Sequence, residues 1–450
     1  MKRDAIDLGK MRISRLFKIY FIPTLLGMIS MSAVTAFDGI FIGHGVGSNG
    51  VAAVNIAWAP MMILMGVGMM LGMGCSVVAS IQLARGREKV ARYNVTQSLV
   101  FALLVVALLG IPVMAFPTEV AYALGSSDAL LPLVTDYMLW IYPSLVFELW
   151  LIIGLFVIRL DGAPKLAMWC NIIPGVLNAV LDYIFIFPLD MSLKGAAIAT
   201  AISYVIGGLI VILYLAFGAR KLRLVWLKMS VMSMRLALRN IGYQCRIGFS
   251  ALLGEMTIAM LMFVGNQVFM SWLGDDGVGA FGVACYYCPF LFMIGNAIAQ
   301  SAQPIISYNY GQGHRERVRN TERLAMITAV AGGLLITAVF VTVPRPLVGL
   351  FLETDTHAAQ LAMEGLPLFA VAATFYIFNL TAIGYFQSVE RVWPSVVFAL
   401  LRGVVFMVPA FLVMPRLLGV DGIWLALAVS EILTAISIIA YYLRSRDTKH

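Results

Sequence analysis

Long apolar segments recur along the whole chain, and each is long enough to cross a lipid bilayer as a helix. A crossing takes about 20 residues, so 450 residues leave room for about twelve crossings and short connections. The chain is 61% hydrophobic and only 12% charged, whereas soluble domains are about 25% charged. We therefore predict an all-α integral membrane protein with twelve transmembrane helices. The predicted helices span residues 16–42, 51–81, 95–116, 131–158, 165–188, 193–217, 244–273, 279–308, 322–343, 361–388, 393–415 and 420–443.

The basic residues are distributed unevenly between the two sides of this layout. If the N-terminus is cytoplasmic, only Lys194, Arg345 and Arg416 of the 31 lysines and arginines fall outside, and Arg402 falls within a helix. Cytoplasmic loops of membrane proteins carry such an excess of Lys and Arg. We therefore predict a multi-pass protein of a prokaryotic inner membrane with both termini cytoplasmic. The layout also explains the net charge of +8 without a nucleic-acid partner.

The chain contains an internal repeat with a constant spacing of 227 residues. Three short glycine-containing motifs recur at this spacing, and their matched glycines are Gly47 and Gly274, Gly86 and Gly313, and Gly195 and Gly422. Six helices in each half place both halves in the same orientation, related by a pseudo-two-fold axis along the membrane normal, which is typical of transporters. The repeat predicts an N-terminal lobe at 1–217, a cytoplasmic linker at 218–243 and a C-terminal lobe at 244–450.

Five acidic residues fall inside predicted helices, where each costs about 2.5–3.5 kcal/mol to insert. They are Asp38, Glu148, Asp182, Glu255 and Glu431. Arg402 is the only basic residue predicted deep in a helix, and one base cannot neutralise five acids. Some of these acids are therefore expected to be protonated, ion-bound or hydrated.

Three polar residues are predicted to share one depth in the first lobe. Asp38, Asp182 and Thr200 lie about 6–10 Å below the outer ends of their helices, and Asn178 precedes Asp182 by one helical turn on the same face. Their oxygen atoms suit Na⁺, and two close carboxylates equally favour a shared proton. The repeat places Gly265 and Pro409 at the positions equivalent to Asp38 and Asp182. The site is therefore predicted to be absent from the second lobe.

Four motifs resemble those of the MATE (multidrug and toxic compound extrusion) transporters. They are FDGIFIGH at 37–44, PGVLNAVLDYIF at 174–185, GAAIAT at 195–200 and QPIISYNYG at 303–311. The resemblance implies ion-coupled export of cationic or amphipathic, often aromatic, small molecules by alternating access, with Na⁺ or H⁺ as the coupling ion. It also implies a cation site formed by Asp38, Asn178, Asp182, Thr200 and the backbone carbonyl of Ala196.

Two further residues have alternative interpretations. Glu255 is predicted to bind substrate or a proton, and the alternative is a paired structural acid. Related transporters commonly pair such an acid with one on the tenth helix, where this chain has Asn379 and only the peripheral Glu364. This departure indicates a resemblance to the DinF-like branch of the family. Pro23 removes a backbone hydrogen bond in the first helix, so it is either a conformational hinge or a static kink.

Other functions are less consistent with these residues. A flippase for lipid-linked precursors needs a strongly cationic cavity, and an intramembrane aspartyl-type enzyme would use Asp38 and Asp182 without their Asn and Thr companions. Cys285 and Cys288 form a CxxC motif with no second pair, so neither metal nor redox chemistry is indicated. We expect a monomer in the lipid bilayer that is not an enzyme and has no cofactor other than the coupling ion.

Overall fold

The computed structural model describes residues 6–227 and 230–447, and every regular element in these ranges is helical. The basic residues Lys2, Arg3, Lys228 and Lys449 of the charge count lie outside them. The long helices are α1 (Ile13–Gly45), α2 (Ser48–Ala84), α3 (Glu88–Ala115), α4 (Leu131–Leu160), α5 (Pro164–Ile186), α6 (Ser192–Gly218), α7 and α8 (the arms of Val231–Gly311 before and after Gly274), α9 (Arg315–Thr342), α10 (His357–Ser388), α11 (Val392–Leu418) and α12 (Val420–Asp447). Short helices Pro117–Ala123 and Pro344–Gly349 follow α3 and α9.

The prediction of an all-α, multi-pass membrane protein is confirmed. Among the described residues, eleven helices are long and apolar enough to cross a membrane, and one of them, Val231–Gly311, contains two arms that meet at Gly274. Large apolar side chains remain exposed on the outer faces, as on α3, where Leu104, Leu108 and Ile111 are more than half exposed. Because the helix is apolar, its exposed outer face is a surface that lipid chains cover.

Helix boundaries differ from the prediction mainly where polar residues continue a helix. The seventh helix was predicted from residue 244, but the structure begins it at Val231, inside the predicted linker. Ser230 caps this helix by accepting a hydrogen bond from the Ser233 backbone N–H at 3.2 Å. The length of an apolar segment predicts only the part of a helix that lies in lipid. The first turns of this helix, from Val231 to residue 243, also contain polar residues, and the apolar segment therefore did not predict them.

Backbone conformation repeats at the same spacing as the sequence. Gly47 at the start of α2 has φ 86° and its counterpart Gly274 has φ 64°. Gly86 and Gly313, which follow α2 and α8, have φ 72° and 76°. Glycine adopts these conformations without the steric penalty of a Cβ atom. The matched glycines therefore mark equivalent helix junctions in the two halves of the sequence.

The described residues up to Leu252, together with Ser307–His314, form one compact unit, called unit 1 below. Within it α5 packs against α1 and α6, and α4 packs against α6. The α4–α6 approach depends on Gly208, because a Cβ atom there would lie 2.6 Å from the backbone oxygen of Phe147. These close contacts hold the four helices that surround the polar site described below.

The end of α4 also fixes the chain that leaves α6. Asp161 accepts hydrogen bonds from the backbone N–H groups of Arg220, Lys221 and Leu222 at 2.8–3.0 Å and from the Tyr214 hydroxyl at 2.7 Å. Charged acceptors make the stronger hydrogen bonds in proteins. The first residues of the predicted linker are therefore ordered against unit 1.

Residues Leu253–Ile306 and those from Arg315 onward form a second compact unit, called unit 2. In it α10 packs against α9 and α12. Its apolar core includes a stacked pair, Phe269 and Phe281, with ring centroids 4.4 Å apart, and Trp424 packs edge-on against Phe269.

Replacing Gly274 tests the helix junction. Its φ of 64° and ψ of −156° lie in a region that is essentially restricted to glycine, so Gly274→Ala is expected to lower the free energy of unfolding by about 1–3 kcal/mol. The matched control is Gly282→Ala, a helical site where a Cβ atom also meets open space; it is expected to stabilise by about 0.4–1 kcal/mol. Thermal unfolding in detergent measures both, and equal unfolding temperatures for the two variants would contradict the account.

Candidate functional site

Three helices of unit 1 bring the predicted site residues together. Asp38 lies on α1, Asn178 and Asp182 lie one turn apart on α5, and Thr200 lies on α6 one turn after Ala196. The carboxyl groups of Asp38 and Asp182 interact directly, and Asn178 Nδ2 donates to Thr200 Oγ1 at 3.2 Å. Asp182 is fully buried, and the Asn178 and Thr200 side chains are also buried. We call Asp38 and Asp182 the carboxylate pair.

The carboxylate pair has oxygen atoms that no donor satisfies. Both Asp182 oxygens and Asp38 Oδ1 are buried and accept no hydrogen bond from any donor in the described part of the chain. A buried polar atom without a partner costs several kcal/mol. A proton or a cation at this position would satisfy these oxygens and remove the repulsion between the two carboxylates.

The donor set around the pair is suited to a small hard cation. Two carboxyl groups and the oxygen atoms of Asn178 and Thr200 are the ligand types that such cations prefer. Ala196 is fully buried on the same face of α6, but its carbonyl is within a helix. The described residues contain no cluster of three His, Cys, Asp or Glu, so the oxygens for a metal ion would include neutral groups.

Two aromatic residues of the site could not be identified from the sequence. Tyr137 on α4 is 1% exposed and lies close enough to the carboxylate pair to interact electrostatically. Trp58 on α2 donates from Nε1 to the Tyr137 hydroxyl at 3.1 Å. Neither residue stands out among 17 tyrosines and 8 tryptophans, because nothing in their spacing relates them to Asp38 or Asp182. They bring α2 and α4 into contact with the site.

A cavity of about 100 Å³ adjoins the site within unit 1. Asp38, Asn178 and Thr200 line it, and so do Trp58 and Glu148. Glu148 lies on α4 and is 1% exposed. The sequence identified Glu148 as an intramembrane acid, but only the packing of α4 against α6 shows that it shares a cavity with Asp38.

Glu431, the buried acid of α12, has both a basic partner and a hydrogen-bond donor. Arg402 Nη2 donates to Glu431 Oε1 at 2.8 Å, and both side chains are fully buried in unit 2. Asn379 Nδ2 donates to Glu431 Oε2 at 2.7 Å, and the Arg402 guanidinium lies 4.1 Å from the Tyr376 ring centroid. Glu431 is therefore a paired structural acid.

The structure also corrects the count of buried bases. Arg159 was predicted in a cytoplasmic loop, yet it lies in the last turn of α4 and is 3% exposed, over the ring of Phe156 at 5.4 Å. The helix is longer than the apolar run, and so it carries the guanidinium into the packed interior.

Two further residues singled out in the sequence are Glu255 and Pro23. Glu255 is half-buried on α7 in unit 2, and it has no hydrogen bond or ion pair within the described residues. Asn379, which the family pattern places opposite it, donates instead to Glu431. Pro23 is buried within α1, which continues as one helix on both sides of it.

Together the fold and the site define a multi-pass helical membrane protein with an unsatisfied carboxylate pair among its first six helices. The sequence model of the MatE family matches residues 23–184 and 251–412, two stretches of equal length whose spacing agrees with the repeat to within one residue. The chain belongs to the MatE family. The resemblance seen in the motifs is thereby confirmed.

Individual relatives cover nearly the whole chain. The multidrug export proteins MepA of Staphylococcus saprophyticus and Staphylococcus aureus are 26% identical to it over 437 and 441 residues, which is 95% of this chain and 94% of each relative. An outward-facing multidrug resistance MATE family transporter of the MOP superfamily superimposes with a TM-score of 0.90 at 20% identity over 98% of both chains. A mutant of the Vibrio cholerae MATE transporter VcmN gives 0.88 at 22% identity over 97% of both chains. These structures share the fold.

Removing the charge of Glu431 tests its structural assignment. Glu431→Gln leaves the Arg402 guanidinium buried without a counter-charge, and such a change is expected to cost about 3–5 kcal/mol of stability. The double variant Arg402→Met with Glu431→Leu is expected to recover most of this loss, because neither charge remains. Thermal unfolding of the purified protein measures both variants. A Glu431→Gln protein as stable as the wild type would contradict the assignment.

Proposed function

We propose that this protein is a secondary active multidrug efflux transporter that exports cationic or amphipathic aromatic compounds in exchange for Na⁺ or H⁺. The observation that carries the proposal is the carboxylate pair, whose buried oxygens lack donors in the described structure. The names of the MepA relatives and membership of the MatE family support export as the direction of transport. The protein is not an enzyme in this proposal and needs no cofactor beyond the coupling ion.

The proposed coupling site consists of Asp38, Asn178, Asp182, Thr200 and the backbone carbonyl of Ala196. An ion or proton at the carboxylate pair cancels charge inside the helix bundle, and its loss restores that charge. Because an unneutralised carboxylate is costly in lipid-embedded helices, occupancy of the pair changes the relative free energies of the transporter's conformations. A ligand can shift such an equilibrium by as much as its differential affinity for the two states.

Alternating access is proposed to use the two repeated halves, residues 1–217 and 244–450, joined by residues 218–243 on the cytoplasmic side. Pro23 is proposed as the hinge of α1, since its missing N–H leaves one turn of the helix without a backbone hydrogen bond. Both termini are proposed to be cytoplasmic, in a monomer in the inner membrane of a prokaryote, on the basis of the uneven Lys and Arg distribution. The DinF-like branch is proposed because the tenth helix carries Asn379 and only the peripheral Glu364, where related transporters commonly have an acid that pairs with Glu255.

Charge removal at Asp38 tests coupling. In proteoliposomes with an imposed Na⁺ or pH gradient, Asp38→Asn is expected to reduce ethidium efflux to passive leak while leaving ethidium binding and thermal stability intact. Asn178→Ala removes one neutral ligand worth about 1–2 kcal/mol and is expected to slow efflux by about tenfold. The matched control is Asp136→Asn, an exposed acid on α4. A folded Asp38→Asn protein that still pumps against either gradient would rule out this coupling site.

Glu255 is proposed as a substrate-binding residue of unit 2, because it is half-buried and has no partner among the described side chains. Glu255→Gln is expected to reduce the transport of ethidium more than that of an uncharged dye of similar size, since only the cation uses the carboxylate. Initial efflux rates in the same proteoliposomes measure this ratio, and Glu364→Gln, an exposed acid on α10, is the control. Equal loss for the two dyes would assign Glu255 to packing.

A further inference from the structure

We infer that Glu148 binds the positively charged group of an organic cation inside unit 1, in the cavity that it lines together with Asp38. The inference rests on the proposed export function and adds the residue that recognises substrate charge in this unit. It assigns different side chains of one cavity to the coupling ion and to the substrate.

The first argument is the state of the Glu148 side chain. It is 1% exposed, lines the cavity and has no hydrogen bond or ion pair within residues 6–227 and 230–447. Glu431 of unit 2, which is equally buried, has an arginine and an asparagine as partners. A buried carboxylate aimed into a cavity without a base beside it is favourable only when a proton or a cation occupies that cavity.

The second argument is the position of Glu148 along α4. Tyr137, which lies beside the carboxylate pair, precedes Glu148 on the same helix by about three turns, or about 16 Å. Tyr204 on α6 lines the same cavity and interacts electrostatically with both Glu148 and Asp38. Glu148 therefore shares the cavity with Asp38, and it lies about three turns along α4 from the tyrosine that interacts with the pair.

The third argument is the chemistry of the cavity lining. Beside Asp38 the cavity presents the amide of Asn178 and the hydroxyl of Thr200, which are ligands for a small hard cation. The same cavity is also lined by the rings of Trp58 and Tyr204 and by the side chains of Met65 and Leu151. Aromatic faces attract organic cations and thioether groups adapt to varied shapes, whereas a bare metal ion needs several oxygens.

A cation at Glu148 would also interact with the carboxylate pair. When the pair is ionised it attracts the substrate charge, and when a coupling ion or proton neutralises it that attraction is lost. Exchange between ion and substrate then needs no shared ligand.

Binding of a small aromatic cation tests the inference. Phenyltrimethylammonium is the cationic probe, and N,N-dimethylaniline, uncharged at neutral pH, is its near-isosteric control; calorimetry on the full-length protein in detergent measures both. Glu148→Gln is expected to weaken binding of the cation by at least about tenfold and binding of the neutral amine by less than about twofold. Glu148→Asp keeps the charge and is expected to retain part of the cation affinity. Glu119→Gln, an exposed acid outside the cavity, is the matched control.

The outcomes separate this inference from the proposed function. If the wild type exports ethidium under an imposed gradient while Glu148→Gln binds the cation as tightly as the wild type, the role of Glu148 is overturned and the export function stands. Equal weakening for both probes would also overturn it, because a packing defect does not distinguish charge. If the wild type exports no ethidium under either gradient, the proposed function fails. Should Glu148→Gln not fold, the cation-to-neutral affinity ratio of Glu148→Asp decides, and a ratio equal to that of the wild type overturns the inference.

Discussion

A carboxyl group buried among membrane helices must be matched by a proton, a cation or a base, because no bulk water is present to solvate its charge. The two units meet this requirement in different ways. Glu431 in unit 2 has a permanent partner in Arg402, which makes it part of the scaffold. No basic side chain within the described residues forms an ion pair with Asp38, Asp182 or Glu148 in unit 1. Exchangeable cations are the remaining means of neutralising them.

The asymmetry between the units is one of side chains rather than of backbone. Matched glycines at Gly47 and Gly274 have the same left-handed conformation, and the family match itself occurs twice. Yet the positions equivalent to Asp38 and Asp182 are Gly265 and Pro409, neither of which offers an oxygen side chain. A repeated scaffold therefore carries a single carboxylate pair, and the coupling chemistry proposed here belongs to the first half.

The sequence was sufficient for features that depend on local periodicity. It predicted the twelve helices, since an apolar run measures the lipid-facing length, and it predicted that Asn178 and Asp182 share a helix face. It could not predict the Arg402–Glu431 pair or the contact of Tyr137 and Trp58 with the site, because those depend on how distant helices pack. The burial of Arg159 and the start of α7 at Val231 were missed because polar turns extend both helices beyond the apolar run.

The central claim is that the carboxylate pair is where this protein holds its coupling ion or proton. Infrared difference spectroscopy measures this directly, because protonated and ionised carboxyl groups absorb at different frequencies. Adding Na⁺ or raising the pH on purified wild-type protein is predicted to remove a protonated-carboxyl band that is absent from Asp182→Asn and present in Glu255→Gln. A band that persists unchanged in both Asp38→Asn and Asp182→Asn would contradict the account.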